Sequence, residues 1–200
     1  MFPLGTVLIP GGFLPLRVFE PRYLQMLEDI LPDPAEFGVV LIERGSEVGG
    51  GDTRNAVGTL AKIAEARHGP DGHWALVVFG RERIRVVRWL DDDPYPRAMV
   101  ESWPDPPEGV VPSDVVEEVL VRLRRVLALR AEAGLPGAPI DVKLPADDEL
   151  LSLFAASAAG CGPADLQRLL CVESTGSRLA ECATLLEEQQ TLLEGLLAEG

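Results

Sequence analysis

His68 and His73 stand on either side of Pro70-Asp71-Gly72, and a hairpin closed there would bring two imidazoles together as metal ligands. Two ligands do not make a site, and no cysteine or acidic cluster is spaced to complete one. They read as loop histidines in water. Asp91-Asp92-Asp93 offers the carboxylates that hard cations take, but a triplet after a strand is first a solvated turn. Cys161, Cys171 and Cys182 contain no C-x-x-C pair and read as buried small hydrophobes. Arg81, Arg83 and Arg85 alternate, so on a strand they share a face able to hold an anion or an acidic segment; pairing with the chain's own carboxylates is the simpler expectation. Glu20 and Arg22 flank a helix start, where both have architectural work to do. Gly49-Gly50-Gly51 lacks the lysine of a phosphate-cradling loop and reads as a hairpin tip. No nucleophile, base and orienter converge, so the expectation is no enzyme, no cofactor and no metal.

The totals narrow the partners. Two hundred residues with 46% hydrophobic and 25% charged content are enough to bury a real core. The net charge of −14 is uneven, with 11 basic against 14 acidic residues in positions 1–100 and 7 against 18 in positions 101–200. That balance repels phosphate backbones and anionic membrane surfaces, so no nucleic acid and no membrane are expected as partners. The apolar start, Met1 to Leu16, has no basic residue before Arg17 and is broken by Pro3, Pro10 and Pro15, which suits strands rather than a leader. No stretch approaches the roughly 18 apolar residues of a spanning helix. An odd number of cysteines without a framework points to free thiols and a cytoplasmic protein.

The elements that must position these residues change in kind along the chain. Gly and Pro punctuate the first half, and between them lie candidate strands Phe2–Ile9, Leu14–Phe19, Phe37–Glu43, Val57–Ala66, Trp74–Phe79, Arg83–Leu90 and Arg97–Ser102. Pro-Asp-Gly should close one hairpin and Gly80-Arg81 the next. One helix interrupts them, opened by Pro21 and carrying Tyr23, Leu24, Leu27, Ile30 and Leu31 at helical spacing. The Pro-rich run from Trp103 to Pro112 is a connector. Beyond it, Ser113 can cap a helix that ends near Gly134, with Glu118 and Arg122 paired on its wet side. Further helices are expected over Asp148–Ala159, from Gly162-Pro163 through Cys171, and from Ser177 onward. The domains are therefore set at 1–103 (β-rich), 104–112 (connector) and 113–200 (helical bundle).

The opening Phe2-Pro3-Leu4, with Leu14-Pro15-Leu16-Arg17-Val18-Phe19-Glu20-Pro21-Arg22-Tyr23-Leu24, resembles the start of the Lon protease N-terminal substrate-binding domain. The resemblance runs in order through Phe37-Gly38-Val39-Val40, Val57-Gly58-Thr59-Leu60-Ala61-Lys62-Ile63, Gly80-Arg81-Glu82-Arg83-Ile84-Arg85-Val86 and Tyr95-Pro96-Arg97-Ala98. It implies an α+β fold, a twisted, partly closed PUA-like β lobe with one short helix followed by a helical bundle. It also implies a domain that gathers polypeptides for an ATPase and a peptidase. Neither module has its motifs in this chain. The lysines are Lys62 and Lys143 alone, and neither sits where a serine nucleophile would need it.

Three functions follow as expectations. The leading one is a non-catalytic module that binds exposed apolar or extended polypeptide segments. The second is an adaptor that docks on a separate ATP-dependent protease or another partner through its acidic bundle. The third, a small-molecule enzyme, lacks the convergent groups it needs. For the first, the expected groove lies at the seam of the lobes, where Tyr95 and Trp103 bracket the last strand with Arg97 and Met99 between them. Aromatics supply contact area and methionine adapts to varied partners.

Overall fold

The computed structural model describes residues 1–32, 34–47, 51–107 and 111–199. Its chain divides into two compact units, Met1–Pro104 and Asp105–Gly200. The first contains strands β1 (Phe2–Leu4), β2 (Phe13–Val18), β3 (Glu36–Arg44), β4 (Thr53–His68), β5 (Trp74–Trp89) and β6 (Ala98–Ser102), with helix α1 (Pro21–Ile30) between β2 and β3. The second contains α2 (Ser113–Glu132), α3 (Asp148–Ala158), α4 (Pro163–Leu170) and α5 (Thr175–Glu199).

The strand order is β1-β3-β4-β5-β2, with β6 also paired to β5. The β1–β3 pair is parallel and the others are antiparallel. A cleft of about 280 Å³ is lined by Phe2 and Leu4 of β1 and by Leu14 and Leu16 of β2, so the sheet curls until its two end strands face each other without pairing. Two bulges, one at Arg81 of β5 opposite Leu60 and Ala61 and one at Ala64 of β4 between Ile63 and Glu65, supply the bend. The hollow is filled by α1: Tyr23, Met26 and Leu27 are buried among Phe2, Phe37, Val39, Leu76 and Val78, and the Phe2 and Tyr23 rings stack at 4.2 Å. Pro21 at the start of the helix fixes the backbone where no amide donor is needed.

The hairpin expected at Pro70-Asp71-Gly72 forms, with Gly72 at φ 79° and His68 paired to Trp74. The one expected at Gly80-Arg81 does not. Strand β5 runs through that point without turning. A Cβ on Gly80 would lie 2.2 Å from the Ile9 carbonyl oxygen, while its own amide donates to Gly12 O and its carbonyl accepts from Gly11 N. The glycine admits a crossing chain at close range, a use that looks like a turn signal in sequence. Strand β1 also stops at Leu4, short of the expected Ile9.

The second unit is all helical among its described residues. Ser113 is the first helical residue rather than the cap, with Pro112 at the cap position. Gly134 at φ 66° closes α2, its amide bonding to Ala131 O and that of Leu135 to Arg130 O. Asp147 caps α3 by accepting from the Leu150 amide at 3.0 Å. The last helix begins two residues before Ser177, where the Ser174 hydroxyl meets the Ser177 amide. The core contains Val119, Leu123, Val126 and Leu127 of α2 with Leu179, Cys182, Leu185 and Leu186 of α5. The expected Glu118–Arg122 pair is present at 2.9 Å. Gly49 and Gly50, within the expected hairpin tip, lie outside the described residues, as do positions 108–110 of the connector.

Candidate functional site

Strand β5 is shared. Its first half pairs with β2 and its second half with β6, so each partner presents an outer side that no described strand pairs. The four residues expected to form a groove cluster around β6, each with a different neighbour. Tyr95 is half-buried against the core of the sheet unit, and its hydroxyl donates to Asp29 Oδ2 at 2.8 Å. Burial first, and then that bond, push its phenol up. The Trp103 indole lies under the Arg83 and Arg85 guanidinium groups at 4.7 and 5.7 Å, and its amide donates to Arg83 O. The Arg97 carbonyl accepts from the Leu90 amide. Met99 is 51% exposed, with Val100 beside it at 41%, and the Arg88 Nη2 donates to its sulfur.

The other candidates separate. His68 meets the Trp74 ring edge-on at 5.0 Å, whereas His73 sits beside Asp71 at 2.9 Å and near the Phe19 ring. The two imidazoles serve different neighbours. No group of three or more possible metal ligands occurs among the described residues. Arg81 pairs with Glu36 and Arg85 with Glu101, both at 2.5 Å, so these two take the surface pairing expected of them. Arg83 is instead 2% exposed over Trp103. Arg22 donates to Glu20 and to the Glu47 carbonyl, and lies over the Tyr23 ring at 4.5 Å. Cys161 and Cys182 are buried, with desolvation raising their thiols to about 11 and about 12. Cys171 is exposed, contrary to expectation, because it is the residue that ends α4.

Two arginine centres escaped the sequence. In the sheet unit Arg54 donates to Asp52 and Asp92 at 2.5 Å each and lies over the Trp89 ring at 5.0 Å. Hydrogen bonding to Arg54 holds the Asp92 carboxyl below its ordinary range, so the expected solvated turn is in part an ion pair. In the helical unit Arg178 is fully buried. It donates to Asp105, Ser152 Oγ and Val172 O, and Asp105 also accepts from the Thr175 hydroxyl. Residue 105 is thus an anchor rather than a plain linker position. The signal for Arg178 lay in α5, where it falls four residues before Cys182 and next to Leu179, on the apolar stripe. No comparable pattern marks Arg54.

A second surface lies across β2, β5 and β4. Cross-strand register places Phe13, Phe79 and Lys62 in one row, Pro15, Val77 and Glu65 in the next, and Arg17, Ala75 and Arg67 in the third. These side chains point away from the core, because Leu14, Leu16, Leu76 and Val78 take the inner positions. Phe13 is 67% exposed, its ring 5.1 Å from that of Phe79. A groove of about 520 Å³ runs over Pro15, Val77 and Ala75 between Arg17 and Arg67.

The ATP-dependent protease La (LON) substrate-binding domain model matches residues 1–188. The chain belongs to the Lon substrate-binding domain family. Among curated relatives it is 26% identical over 197 residues to Lon protease 2 of Herpetosiphon aurantiacus, covering 96% of this chain and 24% of that protein. It is 33% identical over 102 residues to Lon protease 2 of Myxococcus xanthus, covering 50% of this chain and 12% of the relative. The chain thus spans a quarter or less of these Lon proteases. A Lon N-terminal domain protein from Xanthomonas campestris has the same fold at a TM-score of 0.62 and 26% identity, over 90% of this chain and 93% of that one. The N-terminal domain of a Mycobacterium avium complex Lon protease matches at 0.61 and 16% identity, over 92% and 96%. The α+β architecture is therefore that of Lon N-terminal domains, and membership of a substrate-binding family supports a role in substrate recognition.

Proposed function

We propose that this chain is a non-catalytic recognition module that binds exposed apolar or extended segments of other polypeptides in a cytoplasmic, proteolysis-related setting. The observation that carries the reading is the pair of outer strands whose far edges no described strand pairs and which bear apolar side chains in water: Phe13 on β2, and Met99 and Val100 on β6. The far edge of β6 offers backbone donors and acceptors to an extended peptide, and alternate side chains then read the sequence. On β6 the peptide would lie beside Met99 and Arg97, with Tyr95 and Trp103 fixing the two ends of the strand through Asp29 and Arg83. The family match supports recognition of substrate, and three free cysteines suit a reducing compartment.

The test is fluorescence anisotropy of a labelled, permanently unfolded protein titrated with the full chain. Saturable binding is expected, weakened in Tyr95→Ala and Trp103→Ala variants that melt as the parent does. Absence of binding would overturn the reading, and undiminished binding in both folded variants would remove β6 as its place. A second reading, an adaptor docking on a separate ATP-dependent protease, draws on Leu192 and Leu196, which are 66% and 52% exposed one turn apart on α5. Capture of an ATPase partner that is lost in Leu192→Glu would favour it.

A further inference from the structure

We infer that the outer face of β2, β5 and β4 is a docking surface for polypeptide segments in which apolar residues are flanked by acidic ones. This inference rests on the polypeptide-binding reading and adds a place and a charge preference to it. The nine side chains of the three cross-strand rows include three cations, Arg17, Arg67 and Lys62, against one carboxylate, Glu65, with Asp71 beside Arg17 and Glu36 opposite Lys62 at the margin, on a chain whose net charge is −14. Within these rows the balance is cationic, on a protein that is acidic as a whole.

Its cations are open to a ligand. Arg17 has 67% and Arg67 has 83% of its side chain exposed. Arg17 meets Asp71 Oδ2 and His73 Nδ1 through Nη2 alone, and Arg67 meets Glu65 through Nη2 alone at 3.4 Å. Among the described residues their Nε and Nη1 groups have no hydrogen-bond partner. A guanidinium carries five donors in a fork that fits carboxylates. Lys62 is likewise exposed, and its ammonium has no partner among the described residues.

The floor sets the other half of the preference. Ala75 stands directly between Arg17 and Arg67 in the register, and its single methyl leaves a cleft between the two longer side chains. Val77 and Pro15 continue that floor toward the Phe13 and Phe79 rings. An apolar side chain fits over Val77, and a carboxylate beside it reaches the guanidinium groups.

Pro15 determines how the occupant engages. At the middle of β2 it removes the amide that would otherwise point away from β5, so a peptide cannot complete a regular ladder along this edge. Recognition here passes through side chains across the face, in contrast to backbone pairing on β6. The distant acidic residues do not oppose it strongly, since at about 0.15 M ionic strength charges more than about 8 Å away are largely screened.

The experiment uses the full chain and three labelled peptides with blocked ends, each alternating Val or Phe with Glu, Gln or Lys. The blocked ends ensure that any carboxylate is a side chain. At about 0.15 M salt the Glu peptide should bind on the order of ten-fold more tightly than the Lys peptide, with the Gln peptide between them. An Arg17→Glu, Arg67→Glu variant with unchanged melting should reverse that order, and Phe13→Ser should weaken all three. Equal binding of the three by the parent, or an unchanged order in the charge-reversed variant, overturns this inference while leaving polypeptide binding intact. Binding of none removes the parent reading and the inference together.

Discussion

In the helical unit Arg178 is completely enclosed and every bond it makes holds the fold, whereas in the sheet unit Arg17 and Arg67 keep most of their side chains in water. The same contrast extends to the apolar residues. Most large side chains of α2 and α5 turn inward around Leu123, Leu127, Leu179 and Leu186, with Val121, Leu192 and Leu196 left in water, while β2 carries apolar residues on both faces and only Leu14, Leu16 and Val18 are used by the core. A buried cation requires partners on all sides, so it fixes one arrangement of the elements around it. Exposed arginines beside an exposed apolar strip do nothing comparable for stability. The difference separates residues that hold the protein together from residues available to a partner.

The largest test of that contrast is Asp105→Ala, which leaves Arg178 buried without its carboxylate. A loss of about 3–5 kcal/mol is expected in the urea transition of the helical circular dichroism signal. Because Trp74, Trp89 and Trp103 all lie in the sheet unit, tryptophan fluorescence measures that unit separately. The double replacement Asp105→Leu, Arg178→Leu should recover much of the loss. A small effect of Asp105→Ala would mean that the enclosed charge is not what fixes the bundle.

Gly80→Ala comes next, at about 1–3 kcal/mol in the fluorescence transition, because its Cβ would meet the Ile9 carbonyl oxygen at 2.2 Å. A neutral result would remove the crossing chain as the reason for glycine there.

The Arg54 pair should show itself through pH. Asp92 is held below the ordinary aspartate value of 3.8, first by its hydrogen bond from Arg54. Its contribution is therefore fully present above that value and is lost as the pH falls through the depressed one. With Asp92 one-third exposed, the contribution is discounted for screening to about 1 kcal/mol or less. Arg54→Met should flatten the acid limb of the stability curve of the sheet unit. An unchanged limb would show that the pair does not titrate with folding.

The smallest expected effect completes the comparison. Arg67→Ala should leave stability within about 0.5 kcal/mol while weakening the Glu peptide's advantage over the Lys peptide. A large loss of stability would place Arg67 with Arg178 rather than with Arg17.

The elements themselves were largely legible because their signals are local. Pro21 and the spacing of Tyr23 and Leu27 marked α1, Pro-Asp-Gly marked its hairpin, and Gly134 marked the end of α2, since each records a backbone preference or a repeating face. The string around Leu14 to Leu24 carried the family. Residues with two possible uses were not legible. Gly80 resembles a turn until the Ile9 chain is seen to cross it, and Asp105 resembles a linker residue until Arg178 reaches it from 73 positions away. Arg17 and Arg67 are 50 positions apart in sequence and flank one cleft only because β5 lies between β2 and β4 with Ala75 opposite both. Periodicity and turn chemistry depend on neighbours in the chain and so are written in it. Which apolar face is covered, and which charges share a surface, depends on the pairing of distant strands, and only the tertiary structure decided that.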